Sequence, residues 1–269
     1  MIRGVGLGLR WPHISQVLTE RPPIPWFELL ADNYLREGGQ DLVWLDKIRE
    51  HYPMTFHCVG MNLGGTAPLD FEYLSKMKAL ALRYSACWIS DHLSWSAHQG
   101  KFHHDLLPLP YTKEAISNTV ERILRVQDFL GERILIENAS TYIQFKNSEM
   151  PEWEFLCEVS DRADCFILLD INNIYVNSQN HHFDPAQYLN NMPKDRVKEF
   201  HLAGHERDGS LLLDTHGAPV IDEVWNLLNA SMEIFGPIPT MIERDNNVPP
   251  LADLILEVQK AEHMVSLWS

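Results

Sequence analysis

One pattern recurs along this chain and restricts its fold more than any other feature: a short apolar run, an acid or a histidine at its end, then a helix. The plainest instance is Cys165-Phe166-Ile167-Leu168-Leu169-Asp170, followed by Ile171-Asn172-Asn173-Ile174-Tyr175. An apolar run without alternation is a strand buried on both faces, as in a parallel sheet. An acid at the carboxyl end of such a strand lies where α/β proteins place their chemistry.

In chain order, strands are expected at residues 5–10, 26–30, 54–59, 87–92, 134–138, 165–170, 197–202 and 239–245. Helices are expected from about 13, over 41–51, from 70 to about 85, from 112 to about 130, from 151 to about 163, from 185, over 218–235 and from about 250. Pro22-Pro23-Ile24-Pro25 breaks the first helix. Thr112 caps the long helix that Gly131 stops. Residues 96–110, rich in His, Gly and Pro, are expected to be a long loop, and His181-His182 to lie in another. Eight strands alternating with helices, with no linker or low-complexity segment, predict one α/β domain over residues 1–269, a (β/α)8 TIM barrel.

Composition narrows the partners. No apolar run reaches the ~18 residues of a membrane span, and the start, Met1-Ile2-Arg3-Gly4-Val5-Gly6, lacks a signal-peptide pattern. Cys58, Cys87, Cys157 and Cys165 form no CxxC pair, so reduced thiols in a cytoplasmic protein are expected. Lys+Arg 22 against Asp+Glu 37 gives a net charge of -15, which repels a phosphate backbone and speaks against nucleic acid. Gly4-x-Gly6-x-Gly8 lacks the spacing of a dinucleotide loop, and no phosphate loop, serine elbow or haem motif is present.

The chemistry sits at the strand ends: His57, His92, Glu137, Asp170 with Asn173, His201, Asp214 with His216, and Glu243. A closed barrel brings these ends to one rim. A strand-end His, an Asn in a turn or a Glu beside an Arg each has an ordinary structural role open to it. Recurrence after strand upon strand is what points to metal, because burying so many polar groups unpaired is costly. Four imidazoles, four carboxylates and a carboxamide suit two or three ions. Asp214-x-His216 is expected to present both side chains on one face of an extended segment. His205 is a further ligand or proton shuttle, and Asp91 either points away or orients His92 from behind. His98, His103 and His104 are expected in a solvated lid.

At these residues the chain resembles a known family, the multinuclear non-heme iron-dependent oxidative enzymes, within the xylose-isomerase-like TIM barrels. The resemblance covers nearly the whole chain. Its carriers are Gly4-Val5-Gly6-Leu7-Gly8-Leu9-Arg10, His57-Cys58-Val59-Gly60-Met61-Asn62-Leu63-Gly64, Ser90-Asp91-His92-Leu93-Ser94-Trp95, Asp105-Leu106-Leu107-Pro108-Leu109-Pro110-Tyr111, Ile136-Glu137-Asn138, Asp170-Ile171-Asn172-Asn173-Ile174-Tyr175-Val176, His201-Leu202-Ala203-Gly204-His205 and Asp214-Thr215-His216-Gly217. It implies two or three irons of mixed Fe(II)/Fe(III) valence on His57, His92, Glu137, Asp170, Asn173, His201, Asp214, His216 and Glu243. It further implies dioxygen as co-substrate, oxidation of cysteines in a ribosomally made precursor peptide, and a peptide-recognising partner protein encoded nearby. Endonuclease IV, with three zincs, and two-metal sugar isomerases share the order of ligands. They normally carry His where this chain has Asn173. A non-catalytic metal-binding protein is the remaining alternative.

Overall fold

A computed structural model describes residues 2–36, 38–98 and 101–268. Eight parallel strands close into a barrel: β1 (Val5–Gly8), β2 (Phe27–Leu30), β3 (Met54–Cys58), β4 (Ile89–His92), β5 (Leu135–Glu137), β6 (Phe166–Asp170), β7 (Val197–Leu202) and β8 (Thr240–Ile242). Each strand pairs with its neighbours in sequence, and β8 closes on β1. Among the described residues, nine α-helices surround it: α1 (Ile14–Glu20), α2 (Gln40–Arg49), α3 (Phe71–Tyr84), α4 (Lys113–Leu130), α5 (Glu152–Arg162), α6 (Ile171–His181), α7 (Pro185–Asn191), α8 (Asp222–Phe235) and α9 (Leu251–Ser266). None is long and apolar enough to cross a membrane.

Alternation sorts each strand into two faces. Leu29, Phe56, Ile89, Ile136, Ile167, Leu169, Phe200 and Ile242 are buried in the main core with the apolar sides of the helices. The residues between them point into the barrel. At the end opposite the mouth, Trp26, Ile2 and Met241 form a small apolar plug. Gly6 makes room for it, since a Cβ there would lie 2.4 Å from the Trp26 ring.

Local chemistry sets the helix ends. The Asp70 carboxylate accepts from the Glu72 and Tyr73 amides at the start of α3. Thr112 accepts from the Ala115 amide at 3.1 Å, and Gly131 ends α4 in the left-handed region.

Three segments depart from the sequence-based expectation. Residues 96–110 contain an antiparallel hairpin, Trp95–His98 with Lys101–Leu107, rather than only loop. Asn62, itself at φ +53, pins it by accepting from the Ser96 and Ala97 amides at 2.8 and 3.2 Å. His103 is exposed with its ring against Trp95, while the side chains of His98 and His104 lie outside the described residues. A second hairpin, Glu206–Asp208 with Leu211–Leu213, follows His205. Helix α6 occupies a stretch whose Asn172, Asn173, Asn177 and Asn180 are poor helix formers. It forms because Asp170 caps it, accepting from the Asn173 amide at 2.6 Å, and because Ile171, Ile174 and Val176 are buried. His181 therefore ends a helix, 2.9 Å from the Thr141 carbonyl, instead of lying in an exposed loop.

Candidate metal centre

The last inward positions of β3 to β7 are His57, His92, Glu137, Asp170 and His201. The register sets His92 beside Glu137 and Asp170 beside His201. Glu243 follows β8 directly, and Asp214 and His216 arrive from the loop after the second hairpin. That loop is not the extended segment expected. The Thr215 amide turns back to the Leu213 carbonyl at 2.9 Å and His216 sits at φ +49, so Asp214 and His216 meet across a turn.

His57 Nε2 and His92 Nε2 are 3.3 Å apart, and Glu137 Oε2 lies 3.2 Å from the first and 3.4 Å from the second. Three donors about 2.0–2.1 Å from one tetrahedral cation would sit about 3.3–3.4 Å from each other. From there the cluster is continuous. His201 Nδ1 is 3.8 Å from Glu137 Oε1 and 3.1 Å from Glu243 Oε2. His216 Nδ1 is 3.3 Å from Glu243 Oε2, and His216 Nε2 is 2.7 Å from Asp214 Oδ1. Asp170 belongs to two groupings whose ligand atoms lie within 4.8 Å of one another, one with Glu137 and His201 and one with His216 and Glu243.

These groups are not satisfied by each other. Glu137 Oε2, Asp170 Oδ2, Asn173 Oδ1, His201 Nδ1 and His216 Nε2 are buried without a hydrogen-bond partner. Each such atom costs about 1–3 kcal/mol, and native interiors pair nearly all of them. The close approaches of His201 to Glu243 and of His216 to Asp214 lack hydrogen-bond alignment. Misaligned, unpaired imidazole and carboxylate atoms facing a common space fit first-row metal ions.

A surrounding layer holds these side chains in place. Ser90 Oγ lies 2.8 Å from His57 Nδ1, and Asp245 Oδ2 lies 3.0 Å from His216 Nδ1. Arg10 ties Asp245 to the rim and reaches Glu243 Oε1 at 3.3 Å. Asn138 donates to the Asp170 carbonyl and accepts the Asp170 amide. Its carbonyl takes the Asn173 Nδ2, which leaves the Asn173 oxygen free. Asp91 is buried, accepts from the Met61 amide at 2.8 Å and has Oδ1 3.8 Å from His92 Nδ1. His205 stands one side chain back. Its Nδ1 is 2.8 Å from Asn172 Oδ1, and Asn172 Nδ2 donates to Asp214 at 2.8 Å.

Sequence reasoning missed Ser90, Arg10, Asn138, Asn172 and Asp245, as well as Glu28 and Glu199 on the barrel's inner wall. A signal existed for several. Ser90 and Glu199 stand two residues before His92 and His201 in the same inward column, and Asp245 stands two after Glu243. Glu28 interrupts an otherwise apolar strand. Nothing in the pattern marks Asn138 or Asn172.

The charge balance within the cluster is tight. Burial, helped by His92 and His201, holds His57 well below the usual imidazole range. Burial alone would lower His92 too, but Glu137 and Asp91 outweigh it and push it up to about 9. Burial raises Glu137 to about 7 against the pull of His92 and His201. Burial and then Glu137 raise Asp170 well above the carboxylate range. At Glu243 burial is overcome by His216 and His201, so its carboxyl stays well below its usual value. Metal ligands must shed such protons, so loading and protonation compete.

The architecture is that of a (β/α)8 TIM barrel. A D-tagatose 3-epimerase-like protein superposes with a TM-score of 0.64 at 14% identity, over 98% of this chain and 98% of that one. Endonuclease IV from Thermus thermophilus superposes with a TM-score of 0.60 at 14% identity, over 99% of this chain and 98% of that one. At such identities the likeness shows the fold alone. Sequence relatives are nearer. A UPF0276 protein of Acaryochloris marina is 48% identical over 97% of this chain and 94% of its own. Another from Anaeromyxobacter sp. is 48% identical over 96% of this chain and 91% of its own. Residues 4–266 match the family described as RiPP precursor modification enzyme MbnB/TglH/ChrH, and the chain belongs to that family of peptide-modifying enzymes.

Proposed function

We propose that this protein is a multinuclear non-heme iron, dioxygen-dependent oxidase that modifies cysteine residues of a ribosomally made precursor peptide. The observation that carries the reading is the ring of buried, unpaired donor atoms at the barrel mouth, in a chain of this family. His57, His92 and Glu137 would hold one iron. Asp170, His201, His216 and Glu243 would hold a second, with Asp214 and Asn173 as further donors toward a second or third ion. Bound iron would supply one-electron and dioxygen chemistry, and its affinity for soft sulfur suits a cysteine thiolate.

The chain's own residues have distinct tasks. Ser90 and Asp245 fix the His57 and His216 rings, and Asp91 accepts from the His92 backbone amide and so positions that residue at the strand end. His205 is half-buried at the rim, and burial lowers it from the usual imidazole value, so it stays neutral. With Nδ1–H held by Asn172, its Nε2 is free to take or return a substrate proton. A cleft of about 240 Å³ between the loops that follow β4 and β5 and the end of α6 is lined by Leu109, Tyr111, Ile143, Phe145 and Phe183, an apolar lining that would suit an extended peptide. Delivery by a peptide-recognising partner protein and action in the cytoplasm complete the reading. All four cysteines are free, as a reducing compartment would keep them.

The test is elemental analysis of protein from iron-supplemented cells, joined to mass spectrometry of a cysteine-containing peptide encoded nearby, incubated with and without dioxygen. Expected are two or three irons per chain and an oxygen-dependent mass change at cysteine. Both should be lost in Asp170→Ala. Zinc persisting in place of iron under supplementation, or an active and fully loaded Asp170→Ala protein, would refute the assignment.

A further inference from the structure

Beneath the metal centre, closer to the apolar plug, Glu28, Glu199 and His201 enclose a second space. Glu28 comes from β2, and Glu199 and His201 share the inward face of β7. Their exposures are 2%, 0% and 0%. His201 Nε2 lies 3.0 Å from Glu28 Oε1 and 3.8 Å from Glu199 Oε1, and one ligand atom from each residue lies within 4.8 Å of the others. The outer oxygens are spoken for: the Thr55 hydroxyl donates to Glu28 Oε2 at 2.8 Å, and the Trp88 indole N–H donates to Glu199 Oε2. The atoms facing the enclosed space are not. Glu199 Oε1 and His201 Nε2 are buried without a hydrogen-bond partner, and the 3.0 Å approach of Nε2 to Glu28 is not aligned as a hydrogen bond.

Two carboxylates and an imidazole in such a setting are costly unless their charge is offset. One divalent cation offsets it, because its two charges balance the two carboxylates. The mixed oxygen and nitrogen donors suit a first-row transition ion, and the burial of all three residues keeps it away from any substrate.

We propose that Glu28, Glu199 and His201 form a separate, closed site for one divalent transition-metal ion, with His201 bridging to the outer centre as an imidazolate whose second ring proton is released as the ion binds. The two ring nitrogens divide the work. Nδ1 faces Glu137 and Glu243 above, and Nε2 faces Glu28 and Glu199 below. The site goes beyond the oxidase reading and does not depend on the substrate.

The full chain is loaded anaerobically with Zn²⁺ or Fe²⁺, crystallised, and examined by anomalous diffraction on both sides of the metal's absorption edge. A peak between Glu28, Glu199 and His201, distinct from those near His57, is expected. In solution, Glu199→Leu should lose one metal equivalent per chain and keep the ions of the outer centre, whereas His57→Ala should lose an outer ion and keep the inner one. If Glu199→Leu does not fold, diffraction from the wild-type protein decides alone. A filled outer centre over an empty inner space, or a full metal count in folded Glu199→Leu, overturns the proposal. An inner ion beneath an empty outer centre supports it and overturns the oxidase reading instead. No ion in either place overturns both.

Discussion

Removing the Ser90 hydroxyl would show whether the protein sets the His57 ring as a ligand before metal arrives. Ser90 is fully buried on β4, with its Oγ 2.8 Å from His57 Nδ1 and 3.4 Å from the Phe56 carbonyl. While Ser90 accepts from His57, Nδ1 keeps the proton, and the Nε2 lone pair faces His92 Nε2 and Glu137 Oε2. In Ser90→Ala the Nδ1–H loses its acceptor in a site closed to water, which costs about 1–3 kcal/mol in the metal-free protein. The imidazole also becomes free to carry its proton on Nε2, the form that cannot bind metal. Loss of such an outer partner typically weakens metal binding 10–100-fold, or about 1.4–2.7 kcal/mol. The assay is anaerobic competition against a calibrated chelator for Zn²⁺ and Fe²⁺, with thermal unfolding of stripped and loaded protein alongside. Metal affinity should fall by about one to two decades, and stripped protein should melt lower by about 2–4 °C per kcal/mol lost. Ser90→Thr, which keeps a hydroxyl, should recover most of the affinity. Folded Ser90→Ala protein that binds metal within about twofold of wild type would refute the pre-set ring.

Other outcomes follow from single contacts. A Cβ on Gly204 would lie 2.1 Å from the Ala218 carbonyl oxygen and 2.4 Å from that of Pro219, so Gly204→Ala must shift the backbone just after His216. It should cost about 1–3 kcal/mol or more and lower the metal content, read by melting and elemental analysis. Burial pushes Glu152 up to about 8 from its usual 4.5, against a hydrogen bond from Asn177. The folded chain thus keeps a proton the unfolded chain has lost, and stability falls as pH rises from 4.5 to about 8. Glu152→Gln should melt higher than wild type at pH 8 and equal to it near pH 4.5. In metal-free protein the raised pKa of His92 contributes stability fully below pH 6.5, and this is lost as pH rises through about 9. Metal binding strengthens over the same range as that proton leaves more easily. The melting gap between loaded and stripped protein should therefore widen from pH 6.5 to 9, and a constant gap would contradict the proton competition.

The barrel was legible because strands buried on both faces leave continuous apolar runs that stop at a functional residue. All eight runs proved to be barrel strands. The hairpins were not legible in the same way. A two-stranded ribbon lying over the loops buries too little to need an apolar run, so Lys101-Phe102-His103-His104-Asp105 reads as loop. The second hairpin did carry a turn signal in Asp208-Gly209, where Gly209 sits at φ +59. Helix α6 was hidden by its four asparagines, whose low propensity is overridden by a cap and by burial that only the tertiary structure supplies. The strand-end candidate ligands are visible as chemical interruptions of apolar runs. Their supports, Asn138 and Asn172, are ordinary polar residues whose partners lie 32 and 33 residues away in sequence.

The interior of this barrel also explains how a common fold can carry uncommon chemistry. Barrel interiors are usually filled by layers of Val, Ile and Leu. Here the layer at the mouth is His57, His92, Glu137, Asp170 and His201, and the layer beneath it includes Glu28, Thr55, Ser90 and Glu199. Removing charged groups from water costs several kcal/mol per ion even after relaxation, so these layers oppose folding unless their charge is offset. The opposing stability has to come from the outward faces. Leu29, Phe56, Ile89, Ile136, Ile167, Leu169 and Phe200 are all 0% exposed beneath the helices, and each such side chain contributes about 1.5–3 kcal/mol. Alternation along a strand thus assigns stability to one face and chemistry to the other, two residues apart. A D-tagatose 3-epimerase-like protein and an endonuclease IV each share the fold with this chain at 14% identity. The inward side chains decide what the barrel does.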